Sequence, residues 1–352
     1  MSVADAVAVG RGILPSLPEE MDARGLDGTV FIVTDSLVGP RFLKVVRDLL
    51  EAAGSRVHAI AVEPGEASKS LERAAELYGW LFDLKAERGD LILALGGGVI
   101  GDLAGFVAAT YLRGMRWVQV ATTLLAQVDS SIGGKVGVDL PHGKNMVGAF
   151  HSASLSFLDT ALLESLPPKQ LAAGWAEVIK TAAVFDLELF ETFEAKLDDP
   201  RDPELLLLAV EACVRHKGRV VDEDPYDRGA RMLVNYGHTI GHAIEAATRY
   251  SAYLHGEAVA IGMAGAALLS KELGILNPEG VRRQNDLLAR LGLPLNFSGA
   301  TPEAVEAAMR ADKKTRDGRP RWVLLEGLGR GVFGNQAPKE LEARVIRSLH
   351  VA

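Results

Sequence analysis

The chain has a single cysteine, Cys213, among 352 residues, which excludes an intramolecular disulfide framework and any multi-cysteine metal site. A bound metal therefore needs histidine and carboxylate ligands. Apolar segments are broken by charge before they reach the roughly eighteen residues that a membrane span requires. The first residues carry no basic region followed by an apolar stretch, so a cytoplasmic protein is expected. Positive charge is in deficit: 38 Lys and Arg against 46 Asp and Glu give a net charge of -8. That argues against non-specific nucleic-acid binding, because a phosphate backbone rewards a basic surface. A small charged ligand can still find a local basic pocket. Internal repeats and low-complexity linkers are also missing, and Asp198 to Pro203 reads as a turn between helices. What remains is 48% hydrophobic and 24% charged, enough for a large core and a length that favours two domains.

The first third alternates β-branched runs with helical patterns. Val30 to Thr34, Val57 to Val62 and Leu91 to Leu95 read as strands, with helices over Arg41 to Ala53 and Leu71 to Leu84 between them. A further strand is expected at Trp117 to Val120. This order implies a parallel, Rossmann-like sheet with helical crossovers. After about Leu166 the pattern turns helical, with long segments from Lys169 to Lys196 and from Glu204 to Arg219. The expected organisation is an α/β domain over residues 1–166 and a mainly α-helical domain over 167–352.

Three groups of residues carry chemistry. Gly96, Gly97, Gly98, Val99, Ile100, Gly101 and Asp102 follow an apolar strand and open a helical pattern, so that backbone amides there can face a pyrophosphate. The run departs from the usual dinucleotide fingerprint, since it follows the third of these strands and no acid stands about twenty residues later, which disfavours an ordinary Rossmann dehydrogenase. A tight glycine turn for close helix–sheet packing would leave the same trace. In the helical half, His238 and His242 lie four residues apart on one helical face, with His255, Gly256 and Glu257 soon after. Glu177 sits on a mostly apolar helix, where an unpaired buried carboxylate is costly and a metal would remove the cost; an exposed helical ion pair is the plainer reading. Cations beside glycine or small residues form the third group: Arg113, Lys135, Lys144, Lys180, Lys217, Arg231 and Lys313 with Lys314. Their convergence would suit a ligand carrying both phosphate and carboxylate.

These residues resemble the 3-dehydroquinate synthase family through most of the chain. The resemblance runs in order through Gly96 to Phe106, Thr122 to Ser131, Gly133-Gly134-Lys135, Gly143-Lys144-Asn145, Ala176 to Lys180, Asn235 to His242 and Leu254 to Glu257. It implies NAD and one divalent metal, zinc or cobalt, as cofactors, with NAD in the first domain and the metal and substrate in the second. It makes Glu177, His238 and His255 the metal ligands and turns His242 toward the substrate, whereas spacing alone favours pairing His238 with His242. It assigns Asp35, Glu66, Lys69, Gly96 to Asp102, Thr122, Thr123, Lys135, Lys144, Leu162 and Ser165 to NAD. To the substrate it assigns Asp129, Lys135, Asn145, Lys180, Lys217, Arg231, Asn235, His242 and one of Lys313 or Lys314, of which Lys313 is preferred. Arg113 would reach into a neighbouring subunit's site, so a homodimer is implied. Ser165, Pro225 and Thr181 depart from residues common in the family without removing a presumed ligand.

The implied reaction converts 3-deoxy-D-arabino-heptulosonate 7-phosphate to 3-dehydroquinate and phosphate in the shikimate pathway. It proceeds by transient oxidation with NAD, β-elimination of phosphate, re-reduction and intramolecular aldol closure. Transient oxidation is needed because the proton removed in the elimination is not acidic until an adjacent ketone exists. Two rivals share parts of the pattern. A glycerol-dehydrogenase-like enzyme acting on a neutral polyol needs no cluster of cations, and another sugar-phosphate cyclase, without a substrate carboxylate, gives no role to Lys217 and Arg231.

Overall fold

The computed structural model describes residues 2–140, 143–227, 229–311 and 320–351. The chain divides into two compact units, one of residues 1–166 with 206–218, the other of residues 167–205 with 219–352. No helix among the described residues is long and apolar enough to cross a membrane.

The first unit is built on β1 (Val7–Gly10), α1 (Leu17–Asp22), β2 (Val30–Asp35), α2 (Gly39–Ala52), β3 (Val57–Val62), α3 (Leu71–Asp83), β4 (Leu91–Gly96), α4 (Gly98–Thr110), β5 (Arg116–Ala121), β6 (Lys135–Leu140), β7 (Gly143–Phe150) and β8 (Leu155–Asp159). Six strands form one sheet in the order β1-β8-β5-β4-β2-β3, with every pairing parallel. Parallel strands covered on both faces read as near-continuous apolar runs, and β2, β4 and β8 are buried throughout, with polar residues at Thr34, Asp35, Ser156 and Asp159. Alternate residues serve opposite faces: Phe31, Val33, Ile92 and Ala94 pack with α3 and α4 residues such as Leu77 and Leu103. Val30, Ile32, Leu91 and Leu93 pack with α1 and α2 residues such as Met21 and Val46. The antiparallel pair β6 and β7 stands apart from this sheet.

The second unit contains α5 (Pro168–Phe185), α6 (Leu187–Lys196), both ends of α7 (Pro203–Glu223), α8 (His238–Ala247), α9 (His255–Glu272), α10 (Pro278–Arg290), α11 (Pro302–Ala311), an antiparallel hairpin of β9 (Trp322–Gly327) and β10 (Arg330–Asn335), and α12 (Lys339–Ser348). The single helix expected over Lys169 to Lys196 is two. Asp186 is extended, and its carboxylate accepts the Leu189 N–H at 3.0 Å, capping α6 instead of continuing α5. The hairpin β9–β10 also adds strand to a half whose pattern reads as helical.

Three glycines bring backbones of this unit unusually close. A Cβ on Gly256 would lie 2.0 Å from the Ala173 carbonyl oxygen of α5, and one on Gly262 would lie 1.8 Å from the Gly237 carbonyl oxygen that precedes α8. Gly241 of α8 faces the Ala258 carbonyl at 3.0 Å in the same sense. No side-chain rotation relieves a clash with backbone, so Gly262→Ala is expected to cost stability at or beyond the upper end of the roughly 1–3 kcal/mol typical of overpacking. Thermal and denaturant unfolding check this; a variant within about 0.5 kcal/mol of the parent would mean that α8 and α9 part without penalty.

Candidate active site

In the first unit the glycine run joins β4 to α4. Gly97 is the N-cap of α4 and supplies no side-chain cap, and the first intrahelical bond runs from the Gly101 N–H to the Gly97 carbonyl at 3.0 Å. The amides of Gly98, Val99 and Ile100 therefore lack intrahelical acceptors at the positive end of the helix. Both readings of the glycines have support. A Cβ on Gly101 would meet Gln119 Nε2 at 2.3 Å, one on Gly97 would meet Thr123 Cγ2 at 2.9 Å, and one on Gly96 would meet Ile100 Cβ at 2.7 Å. Close packing thus explains the absence of side chains there, while the uncapped amides are what suits an anion.

Lys69 gathers several residues assigned to NAD. Its Nζ lies 2.7 Å from Asp102 Oδ2 and 3.7 Å from Glu66 Oε1. Lys144 Nζ lies 3.6 Å from the same Glu66 oxygen. Burial pushes the Asp102 carboxyl up to about 6, against the pull of the Lys69 charge. Burial also works against the Lys69 charge, but attraction to Asp102 and Glu66 outweighs it and holds the ammonium above its ordinary range. Asn145, assigned to substrate, accepts a hydrogen bond from Lys69 through Oδ1, and its backbone N–H donates to Asp139 Oδ1 at 2.7 Å. Asp35 ends β2, and its Oδ1 accepts the Leu37 and Val38 amides at 2.9 Å each. Thr122 is buried and bonds the Gly96 carbonyl through its N–H at 3.0 Å. Ser165 Oγ donates to the carbonyl of the buried Leu162 at 3.3 Å.

Of the other substrate-assigned residues of this unit, Asp129 and Lys217 meet. Asp129 sits on a π-helical turn, Ala126–Ser130, and Lys217 Nζ donates to its backbone oxygen at 2.5 Å and to its Oδ1 at 2.8 Å. Single π turns are frequent at functional sites. Lys135, at the start of β6, and Arg113 are exposed. Arg113 follows Leu112 in the left-handed region, with φ of 64° and 49°, just before Gly114.

The second unit brings together one carboxylate and two imidazoles. Glu177 lies in the middle of α5 and is only 1% exposed. His238 opens α8 directly after Gly237, and His255 opens α9, whose start is anchored by Glu257 Oε2 accepting the Leu254 N–H at 2.7 Å. Glu177 Oε1 lies 3.7 Å from His238 Nε2 and 3.6 Å from His255 Nε2, and it has no hydrogen-bond partner. One donor atom from each residue falls within 4.8 Å of the others. These separations are too long for hydrogen bonds and are the right size for a cation held between the atoms. The neighbouring Glu177 oxygen, Oε2, forms an ion pair with the buried Lys180 one turn along α5.

His242 stays nearby without joining that set, its ring centroid 5.1 Å from His238 and 5.9 Å from His255. Arg231 is buried, with Nη1 donating to the Pro225 carbonyl at 2.8 Å. Asn235 Nδ2 donates to the Met232 carbonyl at 3.1 Å. Lys313 and Lys314 lie outside the described residues. Glu245, a buried carboxylate on α8 whose Oε2 lies 3.3 Å from His255 Nδ1, is not among the residues that motif and spacing single out. The signal was the one that singled out Glu177, an acid within an apolar helix.

Two family models match in succession, 3-dehydroquinate synthase N-terminal over residues 59–173 and 3-dehydroquinate synthase C-terminal over 174–315. The chain belongs to the 3-dehydroquinate synthase family. It is 42% identical over 325 residues to a 3-dehydroquinate synthase of Citrifermentans bemidjiense, covering 92% of this chain and 90% of that one. Two solved structures of related cyclases are similar throughout. A 2-epi-5-epi-valiolone synthase from Streptomyces hygroscopicus with NAD+ and Zn2+ bound superposes with a TM-score of 0.90 at 30% identity, over 97% of this chain and 96% of that one. A 2-deoxy-scyllo-inosose synthase complexed with carbaglucose-6-phosphate, NAD+ and Co2+ gives 0.88 at 29% identity, with the same coverage. The greater identity is to the synthase that bears the family's name.

Proposed function

We propose that this member of the 3-dehydroquinate synthase family converts 3-deoxy-D-arabino-heptulosonate 7-phosphate to 3-dehydroquinate and phosphate, acting as a carbon–oxygen lyase with NAD and one zinc or cobalt ion. The observation that carries the metal is Glu177 Oε1, a buried oxygen without a hydrogen-bond donor and with two imidazole nitrogens 3.6 and 3.7 Å away. Glu177, His238 and His255 would hold the ion, and three protein ligands leave positions open for substrate hydroxyls. The amides of Gly98 to Ile100, together with Asp35, Glu66, Lys69, Asp102, Thr122, Thr123, Lys144, Leu162 and Ser165, would hold NAD; the uncapped start of α4 supports this. When bound, NAD takes up and returns a hydride within one turnover while the divalent ion acts as a Lewis acid.

The protein's own residues then have to orient a dianion and a carboxylate. Lys217 and Arg231 supply fixed positive charge for the carboxylate, and both are buried, where a charge-assisted bond is worth most. Lys135, Asn145, Asn235, Lys180 and Lys313 would hold the phosphate and spread its charge as it leaves, since elimination with the phosphate's own oxygen as base asks for positioning above all. Asp129 fixes Lys217 through two hydrogen bonds. His242 is left to face the substrate.

Arg113 would complete the site of a second copy, so a homodimer is part of the reading; its exposed, left-handed position before Gly114 suits a presented side chain. Mixing Arg113→Ala with His238→Ala protein should then restore activity, and mixtures as inactive as their components would refute it. A cytoplasmic place is part of the same reading. The test of the whole reading is one incubation with the heptulosonate phosphate and catalytic NAD. Phosphate and dehydroquinate should appear in equal amounts with no accumulating NADH; one NAD consumed per turnover, or NADH released with a simple polyol, would overturn it.

A further inference from the structure

We propose that Glu245 is a positioning residue that fixes His255 as a metal ligand, by accepting the Nδ1 proton of that ring and leaving Nε2 to the ion. The inference rests on the metal site proposed above. Glu245 is 3% exposed, on the face of α8 that also buries Ile240, Gly241 and Ile244. A carboxylate in such a place is costly without a partner, and its Oε2 is 3.3 Å from His255 Nδ1.

Which nitrogen carries the proton follows from what each partner can do. An ionised carboxylate only accepts, so the hydrogen between Oε2 and Nδ1 belongs to the imidazole, and a neutral imidazole has one N–H. Nε2 then keeps its lone pair, and it is this atom that lies 3.6 Å from Glu177 Oε1. His238 reaches the same state by a different route, its Nδ1 lying 3.1 Å from the Tyr236 carbonyl, which has no proton to give. Both rings therefore present Nε2 toward one carboxylate oxygen. A carboxylate behind the ring also raises its basicity, and removing such a partner typically weakens metal binding by roughly 10- to 100-fold.

The same residue has another possible use, because His242, Glu245 and His255 also place one donor atom each within 4.8 Å of one another. A second ion there would make Glu245 a ligand instead of a positioning residue. The experiment separates these. Metal-free parent, Glu245→Ala, Glu245→Gln and His255→Ala proteins are titrated with Zn2+ in competition with a chromophoric chelator, and the His255 tautomer is read in the metal-free proteins by 15N NMR. We expect one Zn2+ per chain in the parent and a loss of affinity of roughly 10- to 100-fold in Glu245→Ala. Glu245→Gln, whose amide oxygen still accepts from Nδ1, should lose less, and His255→Ala more than either. The His255 ring should be the Nδ1–H tautomer in the parent and the Gln variant and mixed in the Ala variant. A merely structural role would lower thermal stability without moving the tautomer or the zinc affinity, and that result overturns the proposal. So does a second zinc equivalent that vanishes with Glu245→Ala. Should the Ala variant not fold, the Gln variant and the parent tautomer still decide, because an Nε2–H ring in the parent contradicts the geometry. If the parent binds no zinc more tightly than His255→Ala does, the metal site itself is wrong and this inference falls with it.

Discussion

Glu177→Ala, His238→Ala and His255→Ala are each expected to lose the metal and with it essentially all activity, while His242→Ala keeps the metal. Each of the first three removes one of three donors that lie within 4.8 Å of one another. The loss of affinity should exceed the roughly 10- to 100-fold that outer partners contribute. Folding has to be checked separately for Glu177→Ala, because it removes an ion-pair partner of a Lys180 that is only 2% exposed. Breaking a buried pair from one side costs about 3–5 kcal/mol, so Glu177→Gln, which keeps the volume, is the companion variant. His238→Ala removes only a ring whose Nδ1 meets the Tyr236 carbonyl, whereas His255→Ala takes a partner from the buried Glu245 carboxylate, so its folding is checked in the same way. Metal analysis of the folded variants is the measurement. Metal lost from the His242 variant, and retained in the His255 variant, would exchange the roles of those two rings.

The second large effect is expected at Arg231 and Lys217. Arg231→Met and Lys217→Met should impair turnover of the sugar acid far more than NAD binding, because neither a bidentate guanidinium nor a second charge is then available to a carboxylate. If the contacts are desolvated, each loss is about 2–5 kcal/mol, or roughly 30- to several-thousand-fold in kcat/KM. Exposed ion pairs are worth about 0–1 kcal/mol, which would leave activity within roughly fivefold. The structure sides with the larger figure only in that both residues are 8% exposed or less. It also adds a control, because Lys217 bonds Asp129. Lys217→Met takes one partner from that carboxylate, so Asp129→Asn must be measured beside it to separate lost substrate charge from a disturbed π turn. Near-normal kinetics in the folded Arg231 variant would end the carboxylate assignment and reopen the choice among sugar-phosphate cyclases.

Much of the fold was legible because it is written locally. β2, β3, β4 and β5 are short β-branched or continuous apolar runs, and the helices between them repeat their apolar residues every three to four positions. β1 and β8 were not legible. Val7–Gly10 is four residues long and becomes a strand only because Ser156 to Asp159 lies beside it; such a segment has no signal apart from its partner. The break at Asp186 was hidden for a related reason. Leucine and phenylalanine continue the helical pattern on both sides, and only the cap on Leu189 shows that the backbone restarts there.

The sequence by itself determined the chemistry on offer: one cysteine, so a metal only through histidine and carboxylate, a glycine run opening a helix after an apolar strand, and an excess of cations beside small residues. It also carried Glu177, because an acid inside an apolar helix is conspicuous wherever the helix goes. Spacing left open which histidines stand with that acid, and it was the family resemblance that named His238 and His255. His238 and His242 share a helical face by spacing alone, yet the nitrogens that approach Glu177 Oε1 belong to His238 and His255. That choice is made where Gly256 lets α9 press its backbone onto Ala173 of α5, and where Gly262 and Gly241 let α9 press onto the start of α8. A spacing rule sees one helix at a time, whereas the distance between helices is set by the side chains missing from their contact, so only the packed structure could bring these three donors together.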